Sequence, residues 1–473
     1  MEFSKSKWTS IIVTVGIGSF MSTLDSSVVN IALPQISIYF NASISTIEWV
    51  VMAYLLVISS LLLTYGKLGD MYGHKKIYLN GFLIFTIGSV LCGLSPTIEI
   101  LILARIFQAI GAGMLMAMGP AIITEVTPAK DRGKALGMNG VAVYIALTSG
   151  PILGGILTTQ LGWQSIFYVN IPVGIIGYLM GMRFLPNKEN SIAQKFDIQG
   201  AALIFFALIA LLFPLSYAEK LGWGSPIIIV SFISSVLLFS AFVYTEIRAE
   251  SPMMDLTLFK NRLFTMSNVS LLISFIAGFS ITFLMPFYFQ QLRGMPPTMV
   301  GLMMIPQPIM AILIIPISGI LSDRIDSRYI SSLGIFIVAI GMFLLSSLDI
   351  NSTTLQSTIF LMIVGLGNGA FQTPNNSAIM GSVPENRRGI ASGMLATMRN
   401  IGMVLGIAIS GAVFTGQQNY LNATLKLQGI VGETLRIQSF TGAFHLTYLM
   451  AGCLALIAVA ASLTRGSLKK LPE

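Results

Sequence analysis

The chain has 473 residues, of which 54% are hydrophobic and only 10% are charged, and its mean hydropathy is +0.81. A soluble domain typically carries about 25% charged residues, so this composition excludes a cytosolic enzyme, a disordered chain and a secreted disulfide scaffold. The net charge of +8 raises the question of nucleic-acid binding, which the placement of the charges decides. Cys92 and Cys453 lie in apolar runs, and two histidines are too few for a His-rich metal site, so no cofactor or metal is predicted.

Long apolar runs predict fourteen membrane-spanning helices, because one crossing of the hydrocarbon core needs about 20 mainly apolar residues. In chain order they lie near residues 9–33, 49–66, 77–95, 98–125, 136–160, 166–185, 200–218, 226–245, 264–290, 298–320, 329–348, 355–382, 391–415 and 443–464. The first run resembles a signal-peptide core. Because Asp25 and further apolar residues continue it without a small-residue cleavage site, it is interpreted as the first span.

Lysine and arginine residues alternate in abundance from loop to loop. Twenty-one of the 27 lie at the termini and in the even-numbered loops, four lie in the odd-numbered loops, and Arg105 and Arg399 lie within spans. The positive-inside rule therefore predicts a multi-pass protein of the cell membrane with both termini in the cytoplasm. Since topology accounts for the basic charge, no nucleic-acid partner is predicted.

Similar loops in two parts of the chain indicate an internal repeat. Asp70 follows the second predicted span and precedes Arg132 by 62 residues, while Asp323 follows the tenth span and precedes Arg388 by 65 residues. The offset of 253 residues contains eight spans, so two extra helices separate two six-helix halves, as in transporters with parallel repeats. The predicted domains are an N-terminal half at 1–185, two extra helices at 186–250 and a C-terminal half at 251–473.

Five motifs together resemble those of a known family. They are the loop Gly66–Lys76, the first-span segment Leu24–Pro34, Arg105 with Gln108 and Gly111 in the fourth span, Gly150–Gly155 in the fifth, and Gly162–Gly174. Over essentially its whole length the chain resembles the major facilitator superfamily and, within it, the fourteen-span drug:proton antiporters. The resemblance implies an all-α integral membrane protein with the major facilitator fold. Met71 and His74 stand where arginines are expected in the first loop motif, and Asp326 stands where its second copy might have glycine.

Asp25 and Arg105 are the candidate proton-coupling residues. Each lies roughly 10–13 Å inside the outer end of its predicted span, at about 1.5 Å per residue, so the two charges share a depth and are plausible partners. Low dielectric disfavours the charged carboxylate, which makes reversible protonation near neutral pH possible. The alternative is a permanent buried ion pair that does not titrate during transport.

The repeated loops predict a conformational latch on the cytoplasmic side. A carboxylate near basic groups and a helix N-terminus can hold two helices together in one state and release them in another. The candidate residues are Asp70, Lys75, Lys76, Arg132, Asp323 and Arg388. The alternative is that the basic residues only set topology.

Gly150, Pro151, Gly154 and Gly155 form the candidate antiporter-type helix. Small residues let helices approach closely, and proline bends a span. In relatives this segment seals the cavity against proton leak. Ordinary small-residue packing is the alternative.

Aromatic and amide side chains in the second half are candidates for a substrate cavity, because aromatic faces with occasional amides suit lipophilic ligands. They are Phe279, Phe283, Phe287, Gln307, Gln372, Asn375 and Asn376. For any one phenylalanine, packing in the core or against lipid is the alternative.

The sequence thus predicts a proton-coupled secondary transporter that exports small amphiphilic compounds or drugs, an activity associated with multidrug efflux and antibiotic resistance. Its predicted partners are a small-molecule substrate, protons and the lipid bilayer, with no obligate protein partner. The alternatives are an exporter of the same fold for one metabolite, lipid or antibiotic, and a non-transporting receptor or scaffold. No nucleophile–base pair or metal cluster is evident, so no enzyme activity is predicted.

Overall fold

A computed structural model of the chain describes residues 5–127, 132–186, 198–248, 256–384 and 387–466, and all regular secondary structure within them is helical. The long helices are α1 (Lys5–Phe40), α2 (Trp49–Tyr72), α3 (His74–Gly93), α4 (Ile98–Val126), α5 (Arg132–Leu161), α6 (Asn170–Phe184), α7 (Ile198–Leu221), α8 (Pro226–Arg248), α9 (Arg262–Phe287), α10 (Pro306–Arg324), α11 (Ser327–Leu345), α12 (Thr354–Gly381), α13 (Arg388–Leu427) and α14 (Gly432–Thr464). Short helical segments at Ile44–Ile47, Ser165–Tyr168, Leu256–Lys260, Tyr288–Leu292 and Pro297–Met304 lie between them.

The number and composition of these helices define an integral membrane protein. Within the described ranges, 13 helices are long and apolar enough to cross a membrane, and a shorter apolar helix, Ala202–Ala218, coincides with the predicted seventh span. Each helix overlaps one predicted span. The predicted all-α membrane fold is therefore confirmed, with a helix long enough to cross the membrane at thirteen of the fourteen predicted spans in the described ranges.

The helix ends differ from the predicted span ends. α1 continues through Pro34 to Phe40, and α13 extends to Leu427, well beyond its predicted end at residue 415. Apolar runs report the part of a helix that lies in hydrocarbon, whereas backbone hydrogen bonding continues until a residue interrupts it. The tenth predicted span is divided at Ile305, because Pro306 begins the helix that follows the segment Pro297–Met304.

The helix packing repeats with an offset of eight helices. In the first half, α1 packs against α5, α2 against α4, and α3 against α4 and α6. In the second half, α9 packs against α13, α10 against α12, and α11 against α12 and α14. The predicted six-helix repeat is thus visible in the internal packing of each half.

The chain divides into two compact units. Among the described residues, the first contains α1–α6 with residues 198–206, 238–248 and 296–302. The second contains residues 207–237, 256–295 and the described chain from 303 onward. The predicted domain boundaries at residues 185 and 250 stay a prediction.

Candidate functional site

The first unit contains a buried polar cluster built by α1, α2, α3, α4 and α6. α1 contributes Asp25, α4 contributes Arg105 and Gln108, and Asn170 is the first residue of α6. Gly88 lets α3 approach α4 closely, since a Cβ atom at this position would lie 2.6 Å from the Cα of Gln108. The glycine therefore helps to bring the polar face of α4 into the interior of the unit.

Asp25 and Arg105 form an ion pair that is sealed from solvent, with 1% and 0% of their surfaces exposed. Nη1 of Arg105 donates to Oδ2 of Asp25 at 2.5 Å. The other carboxylate oxygen, Oδ1, accepts from Nε2 of Gln108 and from Nδ2 of Asn170, both at 2.9 Å. The sequence predicted the two charges as partners, but Gln108 and Asn170 entered the sequence analysis only as motif residues.

Arg105 has further partners that do not involve Asp25. Its Nε donates to the backbone carbonyl of Val50 at 3.0 Å, and its Nη1 also donates to Oε1 of Gln108 at 2.6 Å. The guanidinium carbon lies 4.0 Å from the ring centroid of Tyr54 and 5.7 Å from that of Phe167. Sequence reasoning missed Tyr54, because an aromatic residue within an apolar run gives no sign that it contacts a charged group.

These hydrogen bonds stabilise two opposite charges at a site that water does not reach. Burying an ion pair costs several kcal/mol for each ion unless further hydrogen bonds satisfy both groups. Oδ1 of Asp25 uses both of its acceptor positions on amide donors, whereas among the described residues Oδ2 accepts from Arg105 alone. The two carboxylate oxygens therefore differ in the donors that surround them.

The latch residues are described only in part. Nζ of Lys75 donates to the backbone carbonyls of Met182 and Leu185, at 2.9 and 2.8 Å, and so ties the start of α3 to the end of α6. Lys76 is exposed. The side chains of the other latch candidates lie outside the described part of the structure; they are Asp70, Arg132, Asp323 and Arg388.

A histidine–carboxylate contact near the latch was missed by sequence reasoning. Nδ1 of His74 lies 2.8 Å from Oε2 of Glu125, and 13% and 17% of the two side chains are exposed. The pair joins the start of α3 to the end of α4. An acidic residue at the loop end of the fourth predicted span, near a basic loop, was the available signal.

The candidate antiporter-type residues lie within α5, with Pro151 inside the helix. A Cβ atom at Gly150 would collide with Ser27 of α1, and one at Gly154 would lie 2.9 Å from the carbonyl oxygen of Val28. The absent side chains thus allow α5 to pack closely on α1. Gly155 follows directly in the same helix.

The cavity candidates in the second unit differ in their surroundings. Phe283 and Phe287 are fully buried, with ring centroids 5.5 Å apart, and Asn375 is also fully buried. The remaining candidates, Phe279, Gln307, Gln372 and Asn376, are partly buried. Their assignment to a substrate cavity stays a prediction, and for the two contacting phenylalanines the burial favours packing.

Arg465, which follows α14, is a buried cation that the sequence analysis counted only among the topology signals. Its Nη1 donates to Oδ1 of Asn375 at 2.9 Å, and its Nη2 donates to the hydroxyls of Ser327 and Ser331 at 3.0 and 3.3 Å. Burial lowers the pKa of the guanidinium to about 10, although the charge of Asp326 opposes this change. Arg465 therefore joins α11, α12 and the end of α14.

Two six-helix repeats with charged residues buried among their spans define a polytopic membrane transporter. The chain belongs to the major facilitator superfamily: residues 15–407 match the model of the family described as "Major Facilitator Superfamily". It is 40% identical over 417 residues to the riboflavin transporter RibZ of Clostridioides difficile, covering 88% of this chain and 90% of that protein.

Other similar proteins agree with this membership. The chain is 33% identical to the multidrug resistance protein Stp of Mycobacterium tuberculosis (strain CDC 1551 / Oshkosh), covering 88% of this chain and 77% of that protein. Its fold is similar to the crystal structure of a bacterial homolog of the human lysosomal transporter Spinster. The TM-score is 0.71 with 15% identity, and 98% of each chain is covered. At this identity the likeness shows the fold alone.

Proposed function

We propose that this protein is a proton-coupled secondary transporter that exports small amphiphilic compounds by alternating access. The observation that carries the proposal is the sealed ion pair of Asp25 and Arg105, because ionisable groups within membrane spans are rare and mostly functional. The charge distribution of the loops supports an orientation with both termini in the cytoplasm.

Asp25 carries the proton in this proposal. When the carboxylate is charged it pairs with Arg105, and when Oδ2 takes up a proton from outside, the pair loses its charge attraction. Binding of a substrate from the cytoplasmic side favours the charged pair, so the proton leaves inward as the substrate is loaded. Mutual exclusion of proton and substrate couples the two movements without covalent chemistry.

The remaining predicted elements serve the conformational change. The close packing of α5 on α1 at Gly150 and Gly154 supports a seal against proton leak. The bonds of Lys75 to the end of α6 support a role for the α2–α3 loop as a latch between states. The similarity to a multidrug resistance protein supports amphiphilic drugs as substrates.

A second candidate function is transport of a single metabolite, namely a flavin. The 40% identity to a riboflavin transporter across nearly the full length of both chains favours it. A scaffold without transport is disfavoured, because such a protein needs no sealed ion pair between membrane helices.

Everted membrane vesicles test the coupling. With an acidic interior established, addition of ethidium or riboflavin is expected to dissipate the pH gradient in wild type, since substrate enters as protons leave. Asp25→Asn, which is isosteric but cannot carry a proton, is expected to abolish the response. Glu99→Gln is the matched control, because Glu99 is an exposed acid on the same helix as Arg105.

Undiminished gradient dissipation by Asp25→Asn would remove Asp25 from the coupling role. The two probes separate the candidate functions, since a dedicated flavin transporter responds to riboflavin alone and a multidrug exporter responds to ethidium. Absence of any response in wild type would contradict proton coupling for both.

A further inference from the structure

We propose that Tyr54 is a positioning residue that holds Arg105 in place while Asp25 is protonated. The inference rests on the proposed proton coupling and assigns to α2 a task that the ion pair alone does not explain. The proton carrier and its partner lie on α1 and α4, whereas the ring of Tyr54 reaches the guanidinium from a third helix.

The contacts of Arg105 divide into those that depend on the charge of Asp25 and those that do not. The bond from Nη1 to Oδ2 of Asp25 depends on it. The bond to the carbonyl of Val50, the bond to Oε1 of Gln108 and the contact with the Tyr54 ring do not. Among the residues that the structure describes, Nη2 has no hydrogen-bond partner, so the ring face offers an attractive contact to a part of the cation that hydrogen bonds leave unsatisfied.

Protonation of Asp25 makes this division important. Once Oδ2 carries a proton, the neutral carboxyl no longer balances the guanidinium, and a fully buried cation would be left without a counter-charge. A cation over the face of an aromatic ring is attracted by the ring's negative quadrupole, and the attraction is stronger where water is excluded. The Tyr54 ring is thus an electrostatic partner that Arg105 keeps during the protonated interval, together with the carbonyl of Val50 and Oε1 of Gln108.

Tyr54 is itself buried and is also joined to α1. Its side chain is fully buried, and its hydroxyl donates to the backbone carbonyl of Ser22 on α1 at 3.2 Å. Ser22 precedes Asp25 by less than one helical turn. The ring is therefore tied to the helix that carries the proton and presents its face to the helix that carries the cation.

The surroundings of Asp25 give the sign of the expected effect. The charged and titratable groups around it are Arg105 on α4, Tyr54 on α2 and Cys92 on α3, while α6 contributes the neutral amide of Asn170. The ring stabilises Arg105 more when Asp25 is neutral than when Asp25 carries its negative charge, so it favours the protonated state of Asp25. Removal of the ring is therefore expected to make proton uptake require a lower pH.

Infrared spectroscopy of the purified protein tests this without a substrate. The carbonyl band of a protonated carboxyl that disappears in Asp25→Asn reports protonation of Asp25 and is followed as a function of pH. We expect Tyr54→Leu and Tyr54→Met to lower the midpoint by about one pH unit. Tyr54→Phe is the matched control, because it keeps the ring face and removes only the hydroxyl bond to Ser22.

Each outcome has a definite consequence. A wild-type midpoint in both Tyr54→Leu and Tyr54→Met, or the same shift in Tyr54→Phe, would overturn the assignment of the ring. Tyr54→Met, whose side chain is unbranched, keeps the test available if the Tyr54→Leu variant does not fold. If wild type shows no titrating band that depends on Asp25, the proposed coupling itself is wrong. The two failures are therefore distinguishable.

Discussion

At the scale of single residues, the charge of Asp25 depends on side chains that other helices supply. Its three hydrogen-bond donors come from α4 and α6, and donors of this kind stabilise a charged carboxylate. Arg105 contributes charge, while Gln108 and Asn170 contribute neutral donors at a fixed distance. Neutral donors can adjust the proton affinity of the carboxyl without adding a charge that must itself be buried.

Asn170→Ala is therefore expected to move the infrared midpoint of Asp25 to higher pH. It removes one donor to the carboxylate, and a hydrogen bond to a charged group contributes about 1.5–3 kcal/mol, so the shift is about one to two pH units. The sign is opposite to that expected for Tyr54→Leu. Asn268→Ala is the matched control, because this buried amide donates only within its own helix, to the carbonyl of Phe264. An unchanged midpoint in Asn170→Ala would contradict the assignment of its bond.

At the scale of helices, a cation joins the same pair of equivalent helices in each half. It lies on the earlier helix of the pair in the first half and follows the later helix in the second half. In the first half, Lys75 at the start of α3 donates to carbonyls at the end of α6. In the second half, Arg465 beyond the end of α14 donates back to Ser327 and Ser331 at the start of α11. The internal repeat conserves which helices are joined but not which residue joins them.

The turns before α3 and α11 explain part of the difference between the two halves in the residue that joins the helices. Gly73 has φ of +91°, a conformation that favours glycine, and α3 begins directly after it. Its counterpart 253 residues later is Asp326, with φ of −50° and a side chain that accepts a hydrogen bond from the backbone of Arg328 at 2.9 Å. The aspartate that departs from the expected glycine thus caps α11 and supplies a negative charge near Arg465.

A double-mutant cycle tests the tie in the second half. Arg465→Met leaves the side-chain oxygen of Asn375 buried without its donor, which is expected to cost about 1–3 kcal/mol. Asn375→Leu in the same chain removes the stranded oxygen, but it also removes the bond from Nδ2 of Asn375 to the carbonyl of Ser267 at 3.2 Å. The double variant is therefore expected to recover part of the midpoint temperature of unfolding in detergent. Lys75→Met is the comparison from the first half, with a smaller loss expected because Lys75 is less buried than Arg465.

The same cycle decides between two interpretations of Asn375. If its amide serves only the structural contacts with Arg465 and the carbonyl of Ser267, the double variant transports with an unchanged KM. A raised KM with recovered stability would favour the predicted role of Asn375 in the substrate cavity. Strictly additive losses in stability would contradict the coupling between the two side chains.

At the scale of the whole molecule, the sequence predicted the positions of the helices, which depend on the bilayer. It missed contacts between side chains of neighbouring helices, which depend on how the helices pack. Apolar runs located all fourteen helices, because the hydrocarbon thickness sets their length. Depth along the spans predicted the pairing of Asp25 with Arg105. Tyr54 and Glu125 were missed, because no pattern along one helix tells which face meets a neighbouring helix. The end of α13 and the start of α14 were missed for a related reason, since helices continue beyond the membrane.

The pair α7 and α8 offers a test of the whole architecture. The six-helix packing pattern of each half is built without these two helices, and residues such as Val236 and Leu237 on α8 are 65% and 64% exposed, as expected for side chains that face lipid. Ser235 of α8 donates to the carbonyl of Ala207 of α7 at 3.0 Å, so the two helices also bond to each other. Since the packing pattern of each half does not depend on them, the two helices can be removed together.

Deletion of residues 198–248 is expected to leave a twelve-span protein that keeps its Asp25-dependent proton movement. Removing two spans preserves the side of the membrane on which every later loop lies, whereas removing α8 alone would invert α9–α14 against their positive-inside signals. C-terminal fusion to a reporter that fluoresces only in the cytoplasm gives the topology, and gradient dissipation in everted vesicles gives the activity. We expect both readouts to survive the double deletion and activity to be lost in the single one. Loss of activity in a double deletion that still inserts with a cytoplasmic C-terminus would show that α7 and α8 take part in transport.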